Sequence, residues 1–141
     1  MSHFRGQVDH NLDDKGRLIM PLKHRDAFLP SGGFMAMGAD GCLWLVPAGA
    51  WEDIVKKCET ANHDDMWIDR MIYTAEPFQL DKQGRVTISP SFRAYAHLTE
   101  SGPALVFGVR DRVELWDPET MRSSMQNDSK ERASTFRKLG I

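Results

Sequence analysis

The chain of 141 residues is short of several things that would direct a reading elsewhere. It has only two cysteines, Cys42 and Cys58, too few for a disulfide framework, so a hydrophobic core has to hold it together. No stretch approaches the roughly 20 apolar residues that a membrane-crossing helix needs. The first ten residues, MSHFRGQVDH, lack the apolar segment of a secretory signal, and a cytoplasmic location is expected. Basic excess is missing too: 18 Lys and Arg stand against 20 Asp and Glu, a formal charge of -2. Any surface for a polyanion therefore has to be local. Ser31-Gly32-Gly33 is followed by no Gly-Lys-Ser/Thr and is not a phosphate loop. Nothing resembles a nucleophile–base signature. His63-Asp64-Asp65 with Asp69 has no second His at ligand spacing. No enzyme activity, cofactor, metal site or small-molecule substrate is expected.

What is present is an ordinary globular composition, 41% hydrophobic and 27% charged, with four Trp and seven Phe for a core. The chain also repeats itself. Leu12-Asp13-Asp14-Lys15-Gly16-Arg17-Leu18 returns as Leu80-Asp81-Lys82-Gln83-Gly84-Arg85-Val86. Asp13, Gly16, Arg17 and Arg25 lie 68 residues before Asp81, Gly84, Arg85 and Arg93. A second echo, Met37-Gly38 against Phe107-Gly108, is offset by 70. Duplication of a unit of about seventy residues is the simplest account.

Each unit reads as strand, tight turn, strand, short helix, hairpin and longer helix. Arg85 to Ser89 alternates, with Val86 and Ile88 on one face and Arg85 and Thr87 on the other. Ser89-Pro90 opens a helix to about His97, with Ser89 able to cap it, and Pro21 opens the counterpart. A hairpin is predicted across Asp40-Gly41. Trp51, Ile54, Val55 and Cys58 share a helical face. Asn62 to Asp65 connects the units and leads into a helix over Met66–Tyr73. Asp117-Pro118-Glu119 starts another helix. The polar tail after Asn127 is predicted to hold a short helix with Ala133, Phe136 and Leu139 inward, or to fray.

Asp-x-x-Gly suits a type I turn followed by a left-handed residue. That explains Asp13, Gly16, Asp81 and Gly84 as structural residues. The cations are different. Lys15 and Lys82 sit in the turns, and Arg17 and Arg85 follow the glycines, where a charge on a rigid support suits phosphates or base edges. Each Arg could instead pair with a neighbouring Asp. Arg25 and Arg93 read equally as functional cations or as internal partners of Asp13 and Asp81. Arg5, Lys23, His24 and Arg25 add basic character to the first unit, with five Lys or Arg against three Asp over residues 3–25.

With Phe4-Arg5-Gly6-Gln7, both turn motifs, Pro21 to Arg25, and Gly41 to Leu45 ahead of Trp51-Glu52, residues 4–125 resemble the MraZ family. The resemblance implies an α+β, mainly β fold: a double swapped-hairpin AbrB-like barrel with peripheral helices and pseudo-twofold duplication. Its halves would span 4–61 and 70–125, with 126–141 a tail. It implies a ring, of eight or twelve copies, that binds double-stranded DNA at short direct repeats. Those repeats would lie upstream of its own gene and the division and cell-wall cluster, placing the protein at the nucleoid. Arg17 and Arg85, with Lys15, match the family's DNA-contacting positions; Lys82, Arg5 and Lys23 are further candidates. Gln83 in place of Lys15 ranks the second turn lower. An AbrB-like antitoxin or another barrel interaction module is the alternative.

Overall fold

The computed structural model describes residues 4–61, 63–127 and 129–141; Asn62 of the expected connection lies outside the described residues. The first half contains β1 (Gln7–Asn11), β2 (Arg17–Ile19), α1 (Leu22–Arg25), β3 (Gly33–Met37), β4 (Leu43–Pro47) and α2 (Ala48–Thr60). Then come α3 (Met66–Tyr73), β5 (Glu76–Phe78), β6 (Arg85–Thr87), α4 (Pro90–Ala96), β7 (Pro103–Val109) and β8 (Arg112–Trp116). Two helices close the chain, α5 (Pro118–Asn127) and α6 (Ser129–Lys138). No helix among the described residues is long and apolar enough to cross a membrane.

Strand pairing exchanges the halves. A six-stranded antiparallel sheet runs β1-β7-β8-β4-β3-β5, and β2 pairs with β6 in a separate ribbon. The order reads the same when each strand is replaced by its repeat counterpart, so a pseudo-twofold axis passes between β4 and β8. Trp44 faces Glu114 there, and Leu18 faces Val86 in the ribbon; these are offset by 70 and 68. The strands flanking each Asp-x-x-Gly turn thus find their partners in the other half. This is the duplicated, mainly β, swapped-strand α+β fold that the resemblance implies.

The residues explain the two layers. In β1 burial alternates along the strand, as in a sheet with one wet face. β3 and β4 are apolar on both faces because both are covered. One face meets the main core, where Leu12, Leu18, Met20, Phe28 and Leu45 pack with Val86, Ile88, Phe92, Val106 and Leu115. Each such burial is worth about 1.5–3 kcal/mol, and neither half completes this core alone. The other face meets Trp51, Met71 and Ile72 of α2 and α3, with Ile54, Val55 and Cys58 alongside. Asp65 caps α3 by accepting from the Trp67 N–H at 2.9 Å.

Several local expectations hold. The β3–β4 hairpin turns at Asp40 and Gly41, both with positive φ, and Asp117 accepts from the Thr120 N–H at the start of α5. Others need correction. Ser89 makes no side-chain cap; its hydroxyl faces the Ser91 hydroxyl at 3.5 Å. The tail does form α6, but Ala133, Phe136 and Leu139 are exposed rather than inward, because no element among the described residues covers that face.

Candidate nucleic-acid interface

The two turns are built alike. Asp13 Oδ1 accepts from the backbone N–H of Lys15 at 2.9 Å and of Arg17 at 2.8 Å. Asp81 Oδ1 accepts from those of Gln83 and Arg85, each at 2.9 Å. Gly16 and Gly84 then close their turns onto the carbonyls of Asp13 and Asp81, at φ 72° and 80°. Backbone N–H groups donated by Arg17 and Arg85 are the chief reason that both carboxyls titrate below their usual range, helped by the arginine side chains. In each turn the Asp and the Gly thus hold the backbone between them.

Each arginine side chain pairs with the Asp of its own turn. Arg17 Nε donates to Asp13 Oδ2 at 2.6 Å, and Arg85 Nε to Asp81 Oδ2 at 2.8 Å. The guanidiniums are not extended free into solvent: 24% and 27% of the side-chain surface is exposed. The carboxylate fixes each guanidinium by one edge, and among the described residues nothing bonds to the Nη atoms. Four N–H donors on each remain for a ligand. In the ribbon, Arg17 stands opposite Thr87 and Arg85 opposite Ile19, so both arginines share its outer face, while Leu18 and Val86 point into the core. Diagonal neighbours of this kind lie about 7–8 Å apart.

Lys15 and Lys82 are exposed at the turn tips. Arg5 and Lys23, also exposed, are not brought to the Asp13 turn. Lys23 Nζ lies close over Gly6, beyond the opposite end of β1. Arg25 and Arg93 contact neither Asp13 nor Asp81: their Nε atoms donate to the carbonyls of Met20 at 2.8 Å and Ile88 at 3.0 Å. Arg93 also pairs with Glu100 at 3.3 Å, a partner that no motif signalled.

Local charge separates the turns. Asp13 and Asp14 offset Lys15 and Arg17, whereas Asp81 alone stands against Lys82 and Arg85. His63 is committed elsewhere: Nε2 lies 3.2 Å from the Cys58 carbonyl, and Nδ1 accepts from the Asp65 N–H at 3.1 Å. Trp51 and Trp116 are buried in their own chain, while Trp67 stays 42% exposed.

Strand exchange and twin braced turns define the class, an internally duplicated AbrB-like barrel. A family model described as "MraZ protein, putative antitoxin-like" matches residues 3–70 and again 71–139. The chain is 38% identical over 120 residues to the transcriptional regulator MraZ of Thermomicrobium roseum, covering 82% of each. It is 34% identical over 119 residues to the protein of that name from Roseiflexus castenholzii, covering 82% of this chain and 81% of the relative. A third, from Pseudoalteromonas translucida, is 34% identical over 142 residues, covering 94% and 92%. The chain belongs to the MraZ family.

Proposed function

We propose that this chain is a DNA-binding transcriptional regulator whose paired turns hold the phosphate backbone of a duplex. One observation carries the reading. Two turns of the same construction display Arg17 and Arg85 on one face of a ribbon that both halves build. Lys15 and Lys82 flank them as phosphate contacts, and Arg5 and Lys23 extend the basic surface elsewhere. The relatives' names, transcriptional regulator MraZ, support the same role. Residues 4–61 and 70–125 act as the two DNA-binding halves, with 126–141 as a tail.

A single copy offers few cations on a net acidic body. Assembly into a ring of eight or twelve lets several copies engage successive direct repeats, raising affinity by about 10²–10⁴ over one module. The sites lie upstream of the protein's own gene and the division and cell-wall cluster, and the protein works at the nucleoid without catalysing a reaction. The sequence ranks the first turn higher, since Gln83 replaces Lys15. Local charge favours the second, which carries one acidic residue fewer, and that difference makes Arg85 the stronger contact.

Gel shifts on a duplex taken from immediately upstream of the protein's own coding sequence test this. Arg17→Ala and Arg85→Ala should each weaken binding, Arg85→Ala more. Unchanged affinity in both would remove the site. One feature favours the antitoxin alternative: α6 leaves Phe136 and Leu139 open to a partner. Co-purification with a small nuclease toxin would decide for it.

A further inference from the structure

Arg25 and Arg93 do the same thing in opposite halves. Each follows its own turn arginine by eight residues and anchors Nε on a carbonyl of its own half. Each then lays its guanidinium against the turn glycine of the other half. A Cβ added at Gly84 would stand 2.5 Å from Arg25 Nε and 2.6 Å from its Cζ. One added at Gly16 would stand 2.9 Å and 3.0 Å from the same atoms of Arg93. The backbone crosses over in the same sense: Met20 N–H donates to Gly84 O at 2.8 Å, and Ile88 N–H to Gly16 O at 3.0 Å. Bonds inside an Asp-x-x-Gly turn fix its shape but not its tilt against the barrel. Its tilt depends on what it touches beyond itself, and both the backbone bond to the glycine carbonyl and the guanidinium resting on the glycine come from the other repeat.

We propose that Arg25 is a positioning residue for the Lys82–Arg85 turn and Arg93 for the Lys15–Arg17 turn. Each repeat holds in place the DNA-contacting turn of its counterpart. The functional part of this rests on reading the turns as DNA contacts. The two supports differ. Glu100 pairs with the Arg93 guanidinium, whereas among the described residues no carboxylate pairs with Arg25. The Gly84 turn therefore rests on the looser support.

Two readouts on the full-length protein test the proposal. The first is hydrogen exchange followed by mass spectrometry, which needs no DNA. Arg25→Ala should speed exchange across the turn residues 81–85 and leave 13–17 as in the wild type; Arg93→Ala should do the reverse. Arg25→Lys keeps the charge and the aliphatic stem but not the planar fork, and should lose the same protection. It also serves if the Ala variant fails to fold. Faster exchange confined to the variant's own turn, or wild-type protection in Arg25→Lys, would overturn the proposal.

The second readout is affinity for the upstream duplex against salt. Arg25→Ala should raise Kd about tenfold, the effect of losing one charge-assisted hydrogen bond, with the slope of log Kd on log salt unchanged. A slope reduced by about 0.9 for each engaged copy would make Arg25 a phosphate contact, and an unchanged Kd would deny it any part in DNA binding; either result overturns the positioning role. If the wild type does not bind the duplex, the reading of the turns fails, while exchange still decides whether the cross-repeat support exists.

Discussion

Gly84→Ala isolates the contact between the halves, because Gly41 offers a matched control. Both glycines have left-handed backbone, φ 80° and 85°. At Gly41 the nearest atom to an added Cβ is Thr120 Cγ2 at 3.4 Å, an ordinary contact, whereas at Gly84 it is Arg25 Nε at 2.5 Å. The backbone change alone costs about 1–2 kcal/mol at either site. At Gly84 the methyl must also push Arg25 off the Met20 carbonyl, a charge-assisted bond worth about 1.5–3 kcal/mol. Gly84→Ala should therefore cost about 2.5–5 kcal/mol in all. At about 2–4 °C per kcal/mol for a chain of about this size, the two variants should melt about 3–12 °C apart. Arg25→Ala removes the obstacle. The double variant should then cost about 3 kcal/mol, well below the sum of the single losses. Thermal unfolding at one matched protein concentration reads all four proteins, since assembly shifts apparent midpoints. Equal midpoints for Gly41→Ala and Gly84→Ala, or strict additivity in the double variant, would refute the reasoning.

Three further outcomes are expected. Leu18→Ala, fully buried beside the pseudo-twofold axis, should cost about 2–5 kcal/mol in urea unfolding. Its exposed neighbour Ile19→Ala should stay within about 0.5 kcal/mol. His24 is buried, its Nε2 has no partner among the described residues, and burial, with Lys23 nearby, holds its pKa below the usual imidazole value. The unfolded chain therefore takes up the proton first. Stability should be complete above about pH 6.5 and fall as the pH drops below it, and His24→Phe should flatten that fall. Asp13 and Asp81 titrate low, so their contribution is present above about pH 4 and lost as the pH falls through their lowered values. Asp13→Asn with Asp81→Asn should reduce the acid sensitivity seen in an unfolding series between about pH 5 and 2.

The turns were legible in the sequence because their chemistry is local. Asp supplies the acceptor, Gly the left-handed backbone, and both lie within five residues of the arginine they position. The 68-residue offset made the duplication visible, and period-two alternation placed Val86 and Ile88 inward. Exchange of strands was legible only through the family resemblance, because alternation gives a strand's buried face and not its partner. Arg25 and Arg93 show the same limit: their shared offset marked them as equivalent, but the glycine each covers lies in the other half of the chain. Spacing in the tail likewise put Phe136 and Leu139 on one face without supplying anything to cover it.

The most direct test of the account is the salt dependence of binding to the upstream duplex, wild type against the Arg17→Ala, Arg85→Ala double variant. For the wild type, log affinity should fall steeply and linearly with log salt. The double variant should bind more weakly, with a slope shallower by about 1.8 for each copy engaged on the duplex, because each then leaves two phosphates unneutralised. Wild-type binding indifferent to salt, or a double variant indistinguishable from it, would contradict the central claim.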